Sequence, residues 1–389
     1  MAKSSKKQQA PDNKQTRKQI ALGRKQARQN RIIYLSIAAL VAVILIILAA
    51  GLITEVLIKP SQPVAKVGGD SVRTDDFQNL LTYLRYNQHL NILNLENSMQ
   101  EISSDDEGAD FLLSFYEQQL AQLQSTLALA PQNALDELIE DVLIKEEAEK
   151  LGITVTDADV TQTINDDLRQ AVAPAPQTSI TDTEELPAPT PIPQEQLDEI
   201  LNSALASMGL TEKQFRNIVA RRMLREQVQE VKSGEVVTTG LVSHVQLIQT
   251  DTQAQAEAAK ARIDAGEDFG VVAQEVSTDT ISAADGGDLG WVAEDQLTFR
   301  YGQEVEDAAF SSEVGKLTMV QSGDNHFVIL VLERDPNGPL PDQVLGPLQD
   351  AALSTWLEEQ KASREAEIER LLDADQIPPD PFATPVPAF

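Results

Sequence analysis

The chain has 389 residues, which is enough for two or three domains with a substantial core. Its 61 acidic residues outnumber its 31 basic residues, so the formal net charge at pH 7 is −30. This balance argues against nucleic-acid binding, because that function needs basic surface to neutralise phosphates. There is no cysteine, which excludes disulfides, thiolate metal sites, a cysteine nucleophile and a lipid-modified cysteine.

The basic residues are concentrated at the amino terminus. Residues 1–31 hold ten Lys/Arg and one acidic residue, which leaves 21 basic and 60 acidic residues for the rest. The uncharged run Ile32–Ile53 that follows is long enough to cross a bilayer as a helix. We therefore predict a basic cytoplasmic arm (1–31), a transmembrane anchor (32–58) and an extracytoplasmic remainder, because positive flanks stay in the cytoplasm. A cleaved signal peptide is the alternative, since small residues occur at Leu48–Gly51, but its apolar core would be unusually long.

The next part of the chain, residues 60–235, has the apolar spacing that is typical of helices. Thr74 is placed to cap the first helix, ahead of an acidic first turn. Thr211 and Gln214 form a capping-box pattern for the last helix. Residues 171–194 contain repeated prolines and are predicted to be a flexible insertion, because proline is incompatible with the interior of a helix or central strand.

Three further segments complete the predicted organisation. Ser103–Asp110 is an acidic loop whose spacing matches no calcium-binding loop, so no metal is predicted there. Residues 236–336 change to strands, helices and a Gly-rich loop. Residues 340–373 are helical again and carry Trp356 on their apolar face. The Pro-rich end, residues 374–389, is predicted to be a disordered tail.

Within the predicted domain 236–336, the chain resembles the parvulin-type peptidyl-prolyl isomerases in five features that follow the family's order. These features are Ser243-His244, Ala265–Ser277, Gly286-Gly-Asp-Leu-Gly-Trp291, Val305–Lys316 and a closing strand from His326 to Arg334. The resemblance implies an α+β domain with an antiparallel sheet flanked by helices. It also implies rotation of Xaa–Pro bonds, whose barrier is about 18–20 kcal/mol, without any metal or cofactor.

The helical part resembles the chaperone domain of SurA-, PrsA- and PpiD-like foldases. The resemblance lies in Val64–Asp70 and Leu151–Asp157. In these relatives the chain beyond the parvulin domain returns to the helical domain, which implies the same for the helix of residues 340–373. The predicted fold is therefore α+β, with a single transmembrane helix, a mostly helical SurA-like chaperone domain, an inserted parvulin domain and a carboxy-terminal helix.

The resemblance also implies the residues of an isomerase site. His244 and His326 are expected side by side on neighbouring strands at the pocket floor, with Asp279 near the substrate carbonyl, and these three are the predicted catalytic residues. A purely structural histidine pair and a simple loop carboxylate are the alternatives. Substrate contacts are expected from Ser243, Leu297, Tyr301, Val305, Phe310 and Gln321.

The sequence departs from the family pattern around this pocket. Val305 stands where the family has an aromatic residue, and Gln321 stands where it has a hydroxyl residue. The stretch from Leu297 to Val305 is also longer than in the family. Tyr301 or Phe299 from this insertion is therefore a candidate to refill the pocket.

The Gly-rich segment is interpreted without a ligand. Gly286, Gly287 and Gly290 are predicted to allow unusual backbone conformations rather than to contact a substrate. Trp291 is interpreted as a packing residue. None of the four is counted among the site residues.

The predicted function is that of a membrane-anchored extracytoplasmic foldase with isomerase and chaperone activity. Its partners would be unfolded or newly translocated proteins with Xaa–Pro bonds, the membrane through one helix and the secretion channel. A catalytically silent chaperone and a channel-associated scaffold are the alternatives, with the parvulin fold as a binding module. Other enzyme classes are not predicted, because the sequence has no phosphate loop, nucleophile elbow or zinc-binding helix motif.

Overall fold

The protein was analysed as a computed structural model that describes residues 40–102, 108–172 and 192–383. The chain divides into two compact units. One unit consists of Asp136–Glu369, and the other contains the residues before and after that segment. The second unit is therefore formed from the two ends of the chain.

The chain is helical over residues 40–61 (helix α1), with a π-helical turn at Thr54–Ile58. In the described part of the chain, no helix combines the length and the apolar character that a bilayer crossing requires. The predicted span, residues 32–58, begins outside the described residues. The predicted basic arm lies outside them as well, together with residues 173–191 of the predicted Pro-rich insertion and most of the predicted acidic loop.

The unit built from the chain ends contains a small sheet and a helical hairpin. Its elements are β1 (Pro63–Val67), β2 (Asp70–Arg73), α2 (Thr74–Glu101) and α3 (Ala109–Ala128). Strands β1 and β2 are antiparallel. Thr74 is the first residue of α2 and not its cap, so the predicted cap is wrong. The Thr74 hydroxyl instead donates to the carbonyl oxygen of Gln62 at 2.8 Å.

The described part of the carboxy-terminal tail contacts helix α2. Arg85 donates from Nη1 to the carbonyl oxygen of Pro378 at 2.8 Å. His89 Nε2 lies 2.8 Å from Oδ2 of Asp380. The predicted disorder is therefore wrong for residues 374–383, because side chains of α2 satisfy backbone and carboxylate acceptors of the tail. The last six residues of the predicted tail lie outside the described residues.

The Asp136–Glu369 unit contains several long helices besides its sheet. They are α4 (Ala130–Leu151), which begins just before the unit, α5 (Asp157–Val172), α6 (Gln194–Met208), α7 (Glu212–Glu235) and the later helix Asp342–Ser363. The predicted capping box at the start of α7 is confirmed. Thr211 Oγ1 accepts from the backbone N–H of Gln214, and Gln214 Oε1 accepts from the backbone N–H of Thr211 at 2.8 Å.

The helix Asp342–Ser363 packs against α7. Gln229 of α7 donates from Nε2 to the carbonyl oxygen of Gln349 at 2.9 Å. The ammonium of Lys232 lies 5.3 Å from the centre of the Trp356 ring, which is within the range of a cation–π interaction. The chain therefore returns to the helical part of this unit after the sheet.

Between α7 and that returning helix lies a four-stranded antiparallel sheet with flanking helices. The strands are β3 (Thr239–Thr250), β4 (Asp288–Ala293), β5 (Leu317–Ser322) and β6 (Asn325–Pro339), in the order β4-β3-β6-β5. The helices are α8 (Gln253–Asp264), α9 (Phe269–Val276), α10 (Thr280–Ala283), α11 (Thr298–Tyr301) and α12 (Gln303–Ser311). This arrangement confirms the predicted antiparallel sheet flanked by helices. The returning helix is α13, and a short strand, β7 (Ile368–Arg370), pairs with β1.

The two faces of this sheet pack against different helices. Successive side chains of a strand point to opposite faces, so neighbouring residues of β6 enter different clusters. Val328 joins the first cluster, with Phe269 of α9 and Ile248 of β3. The second cluster is called here the Tyr301 cluster. Its buried members are Val245, Leu247, Val292, Leu297, Tyr301, Val305, Ala308, Ala309, Phe327 and Ile329.

Two glycines of the Gly-rich segment provide a matched test of backbone constraint. Gly287 and Gly290 both have positive φ, +76° and +70°. A Cβ at Gly287 would overlap the carbonyl oxygen of Leu247, whereas a Cβ at Gly290 would meet open space. We expect Gly287→Ala to lower the free energy of unfolding by on the order of 3 kcal/mol and Gly290→Ala by about 1 kcal/mol. Urea unfolding of both variants, followed by circular dichroism, measures the difference; equal losses would contradict the steric explanation.

Candidate functional site

Asp279 lies in the turn before α10 and is the centre of a buried polar network. Asp279 is 6% exposed to solvent. The carboxylate accepts hydrogen bonds from Ser282 Oγ at 2.6 Å, from the Tyr301 hydroxyl at 2.8 Å and from Arg300 Nη2 at 2.6 Å. A buried carboxylate is stable only when it is paired and hydrogen-bonded, and this network meets that requirement.

The network fixes the protonation states of Asp279 and Tyr301. Burial alone would raise the pKa of the Asp279 carboxyl, but the hydrogen bonds from Ser282, Tyr301 and Arg300 outweigh it, and the pKa lies below its ordinary value. Burial and the bond to Asp279 raise the pKa of the Tyr301 phenol. At neutral pH, Asp279 is therefore a fixed anion and Tyr301 is a neutral donor.

An apolar wall lies next to this carboxylate. Leu297, Tyr301 and Val305 are buried together in the Tyr301 cluster, and Phe310 packs against its edge. The Tyr301 ring meets Phe327 edge-on, with ring centres 6.1 Å apart. Of the two aromatic residues that could refill the pocket, Tyr301 is the buried one, so it supplies the aromatic ring that Val305 lacks.

Phe299 of the same insertion has the opposite environment. It is 99% exposed, although it stands two residues before the buried Tyr301. Helix α11 is a single turn, and Gly302 ends it with φ of +94°. The insertion therefore presents one aromatic ring to the core and one to solvent.

His244 lies on β3 and forms a separate polar pair. Its Nε2 is 2.8 Å from Oδ1 of Asp288, and the same oxygen accepts the backbone N–H of Gly290 at 2.8 Å. The His244 ring also lies against Trp291, with ring centres 5.6 Å apart. The Gly-rich segment thus positions His244 through Asp288, a residue that the sequence analysis did not single out.

The two histidines do not lie side by side, so that prediction is wrong. On the β3–β6 pair, His244 is opposite Glu333, whereas His326 is opposite Thr250. His244 and Thr250 are six residues apart on β3, which corresponds to roughly 20 Å at the rise of a strand. His326 is instead paired with Gln321 of β5. The register of two long strands decides this distance, and the sequence of each strand alone does not reveal the register.

Two predicted substrate contacts are not members of the Tyr301 cluster. Ser243 is buried, and its Oγ accepts from Arg334 Nε at 3.2 Å. Gln321 is exposed and donates from Nε2 to the carbonyl oxygen of Gly323 at 3.2 Å. The structure therefore brings together four of the predicted site residues and places Phe310 beside them. These four are Asp279, Leu297, Tyr301 and Val305.

Sequence reasoning missed Ser282, Arg300 and Phe327 as neighbours of this site. Ser282 follows Asp279 by three residues, a spacing that brings side chains together in a helical turn. Nothing in the sequence marks Arg300 or Phe327, because their positions depend on the insertion and on strand register. In the described part of the chain, no group of three or more His, Asp or Glu side chains could hold a metal ion.

This geometry suits chemistry on a peptide bond without covalent steps. The side chains of the apolar wall are packed against one another, so a compact ring would have to take the place of one of them beside the Asp279 carboxylate. Isomerisation of an Xaa–Pro bond needs only stronger binding of the twisted amide than of the planar one. Since Tyr301 and Asp279 already satisfy each other, a substrate must displace part of this network to bind here.

The lowered pKa of Asp279 predicts an acid-sensitive contribution to stability. A carboxyl whose pKa is lower in the folded state stabilises above its unfolded pKa, and this contribution is lost as the pH falls through the folded pKa. We therefore expect the free energy of unfolding to fall more between pH 7 and about pH 3 in the wild type than in Asp279→Asn, since an unfolded Asp titrates near 3.9. Urea unfolding at both pH values checks this. An equal fall in the two proteins would show that Asp279 does not titrate abnormally.

Two protein-family models match the chain. Residues 217–335 match the PPIC-type PPIASE domain, and residues 25–184 match the SurA-like N-terminal domain. The first match covers strands β3 to β5, most of β6 and helices α8 to α12. The second covers α1, the small sheet and helices α2 to α5.

The curated proteins that are similar to this chain are named as foldases or chaperones. The foldase protein PrsA of Oceanobacillus iheyensis is 33% identical over 144 residues, which cover 34% of this chain and 46% of the relative. The periplasmic chaperone PpiD of Haemophilus influenzae is 37% identical over 92 residues, which cover 23% of this chain and 14% of the relative. The chain thus spans less than half the length of these relatives.

Two solved structures are similar to this chain. One is the crystal structure of the peptidylprolyl isomerase PrsA of Bacillus cereus, with 18% identity, 64% of this chain and 84% of that chain covered, and a TM-score of 0.33. The other is the parvulin domain of PpiD from E. coli, with 30% identity, 25% of this chain and 93% of that chain covered, and a TM-score of 0.22.

Proposed function

We propose that this chain, which carries a PPIC-type parvulin domain behind a SurA-like N-terminal domain, is a foldase that isomerises Xaa–Pro bonds of unfolded proteins. The observation that carries this proposal is the juxtaposition of the Asp279 carboxylate with the apolar wall of Leu297 and Tyr301. The proposed position of the proline ring is against Leu297 and Val305, in the space that Tyr301 fills in this structure, with the Asp279 carboxylate beside the substrate carbonyl.

The fixed charge has the correct sign for this reaction. Resonance in a planar amide places negative charge on the carbonyl oxygen, and twisting the bond removes that resonance. An anionic Asp279 beside this oxygen therefore disfavours the planar ground state relative to the twisted transition state. Because Tyr301 occupies the wall in the structure, we propose that the substrate proline displaces helix α11, which carries Tyr301.

Prolyl exchange spectroscopy tests the isomerase activity. We expect the full chain to accelerate cis–trans exchange in an Ala-Pro peptide, whose uncatalysed exchange takes tens to hundreds of seconds. Leu297→Ala and Asp279→Asn should each lower the rate by on the order of tenfold or more, since tenfold corresponds to about 1.4 kcal/mol of barrier. Val237→Gln is the matched control and should leave the rate unchanged, because Val237 is 70% exposed and precedes β3, outside the Asp279 network.

The outcome also tests the predicted role of His244. A loss of exchange in His244→Ala, with the fold retained by circular dichroism, would support it as a catalytic residue. Unchanged exchange would leave it as a structural partner of Asp288. Loss of exchange in His326→Ala, with the fold retained, would support its predicted catalytic role, since its neighbour Phe327 contacts Tyr301.

A catalytically silent chaperone is the second candidate function. Tyr301 and Val305 are buried in the structure, and the Asp279 carboxylate already has three donors. A site that is filled in this way favours use of the parvulin fold as a binding module. Suppression of client aggregation without any acceleration of prolyl exchange would establish this second function.

We further propose that the protein is anchored in the cell membrane with its bulk outside the cytoplasm. The support is the apolar run of residues 32–53 next to a basic arm, together with the name of a relative, the periplasmic chaperone PpiD. Newly translocated proteins are then the proposed clients. The secretion channel is a further proposed partner, which crosslinking in cells would capture.

Membrane fractionation tests the anchor. The full chain should remain in the membrane pellet after alkaline carbonate extraction, and a chain that begins at residue 60 should be released. Protease added to spheroplasts should digest the full chain but protect residues 1–31, because the arm is proposed to be cytoplasmic. Release of the full chain by carbonate would overturn the proposal of a spanning helix.

A further inference from the structure

Helix α3 carries many apolar side chains that the protein does not bury. All residues of α3 are described, and Ala109 alone among them is buried. Phe111 is 77% exposed and Phe115 is 46% exposed, and Leu112 is exposed as well. Monomeric proteins rarely leave such apolar patches on their surface unless the patch binds something.

These side chains form one surface with the end of α2. The two helices run antiparallel, since Gln88 of α2 donates from Nε2 to the carbonyl oxygen of Leu123 of α3 at 2.8 Å. Where α2 ends and α3 begins, they enclose an open groove of about 550 Å³. We call this region the hairpin tip. Its lining includes Ile102, Phe111, Leu112 and Tyr116, with Glu101 at the rim.

The described helices around the hairpin tip carry acidic side chains and no Lys or Arg. Residues 86–102 and 108–129 contain four Asp/Glu, which are Glu96, Glu101, Asp110 and Glu117, and neither Lys nor Arg. A second copy of this surface would therefore bring acidic groups against acidic groups, which is unfavourable. An anionic lipid surface is disfavoured for the same reason. The complementary partner is apolar in the groove and basic beside it.

We infer that the hairpin tip binds extended apolar segments of unfolded proteins that carry Lys or Arg next to the apolar residues. The groove takes the apolar side chains, and the acidic rim pairs with the basic flank. This inference deepens the proposed foldase function by naming its client class, but it requires no proline in the client. It is therefore separable from the isomerase site.

A pair of proline-free peptides tests the inference. Both contain the same Leu/Phe/Val segment, one flanked by lysines and the other by glutamates, and each carries a fluorophore for anisotropy. The full chain is held in nanodiscs of zwitterionic lipid. We expect the lysine-flanked peptide to bind at least about tenfold more tightly at low salt, and we expect this ratio to shrink at 1 M salt, where the screening length is about 3 Å.

Variants locate the binding surface. Phe111→Gln together with Phe115→Gln should abolish binding of the lysine-flanked peptide, because these side chains are exposed and their loss leaves the fold intact. Glu101→Lys together with Asp110→Lys should reverse the preference between the two peptides. Val237→Gln is the matched control: it also replaces an exposed apolar side chain, but outside the hairpin, and should bind like the wild type.

The outcomes separate this inference from the isomerase proposal. Equal binding of the two peptides, or unchanged binding in the Phe111/Phe115 variant, overturns the inference. So does a concentration-dependent dimer that the same variant abolishes, since the surface would then hold a second copy. Vesicle binding by the residue 60–389 chain that this variant abolishes would assign the surface to lipid. Prolyl exchange measured in the same variant should remain at the wild-type rate, whichever result the peptides give.

Discussion

The antiparallel pairing of β3 with β6 is the constraint on which the site depends. Leu247 faces Ile329 across this pair, and both enter the Tyr301 cluster. Residues one position away, such as Val328, enter the cluster on the other face. A slip of one residue would exchange the two faces, so burial on both sides fixes the register strongly. Every distance between residues of the two strands follows from that register.

The Asp279 network depends on this sheet because it needs a dry wall beside it. Burial of a carboxylate costs several kcal/mol unless donors replace water, and three donors do so here. Two of the donors, Arg300 and Tyr301, come from the insertion between Leu297 and Val305. The insertion therefore does two things at once: it adds an aromatic ring to the apolar wall, and it donates two hydrogen bonds that stabilise the Asp279 anion beside that wall.

Features that depend on neighbouring residues could be predicted from the sequence. The capping box of Thr211 and Gln214 is confirmed, because both groups lie within one turn. The positive φ of Gly287 agrees with its interpretation as a backbone-conformation residue. The apolar run of β3 predicted a strand, and the order of five motifs predicted the surrounding fold. Each of these inferences required no knowledge of how distant segments pair.

Features that depend on distant residues could not be predicted in the same way. The resemblance to parvulins implied that His326 lies beside His244, but only the register of β3 against β6 decides whether they meet. Thr74 has the sequence context of a cap, yet its hydroxyl donates to Gln62, a contact that the preceding strands create. The prolines of the tail predicted disorder. Arg85 of α2, however, donates a hydrogen bond to the carbonyl oxygen of Pro378, and the amino-acid composition does not reveal such a contact.

The two proposed surfaces have different binding requirements for an unfolded protein. An isomerase site acts on one peptide bond and gains nothing from holding the rest of the chain tightly, because equal binding of ground and transition states does not accelerate the reaction. The proposed role of the hairpin tip requires the opposite, namely retention of apolar segments that would otherwise aggregate. If the two proposals hold, retention and isomerisation rest on different residues of one chain, so variants of the hairpin tip and of the Asp279 site should affect a client independently.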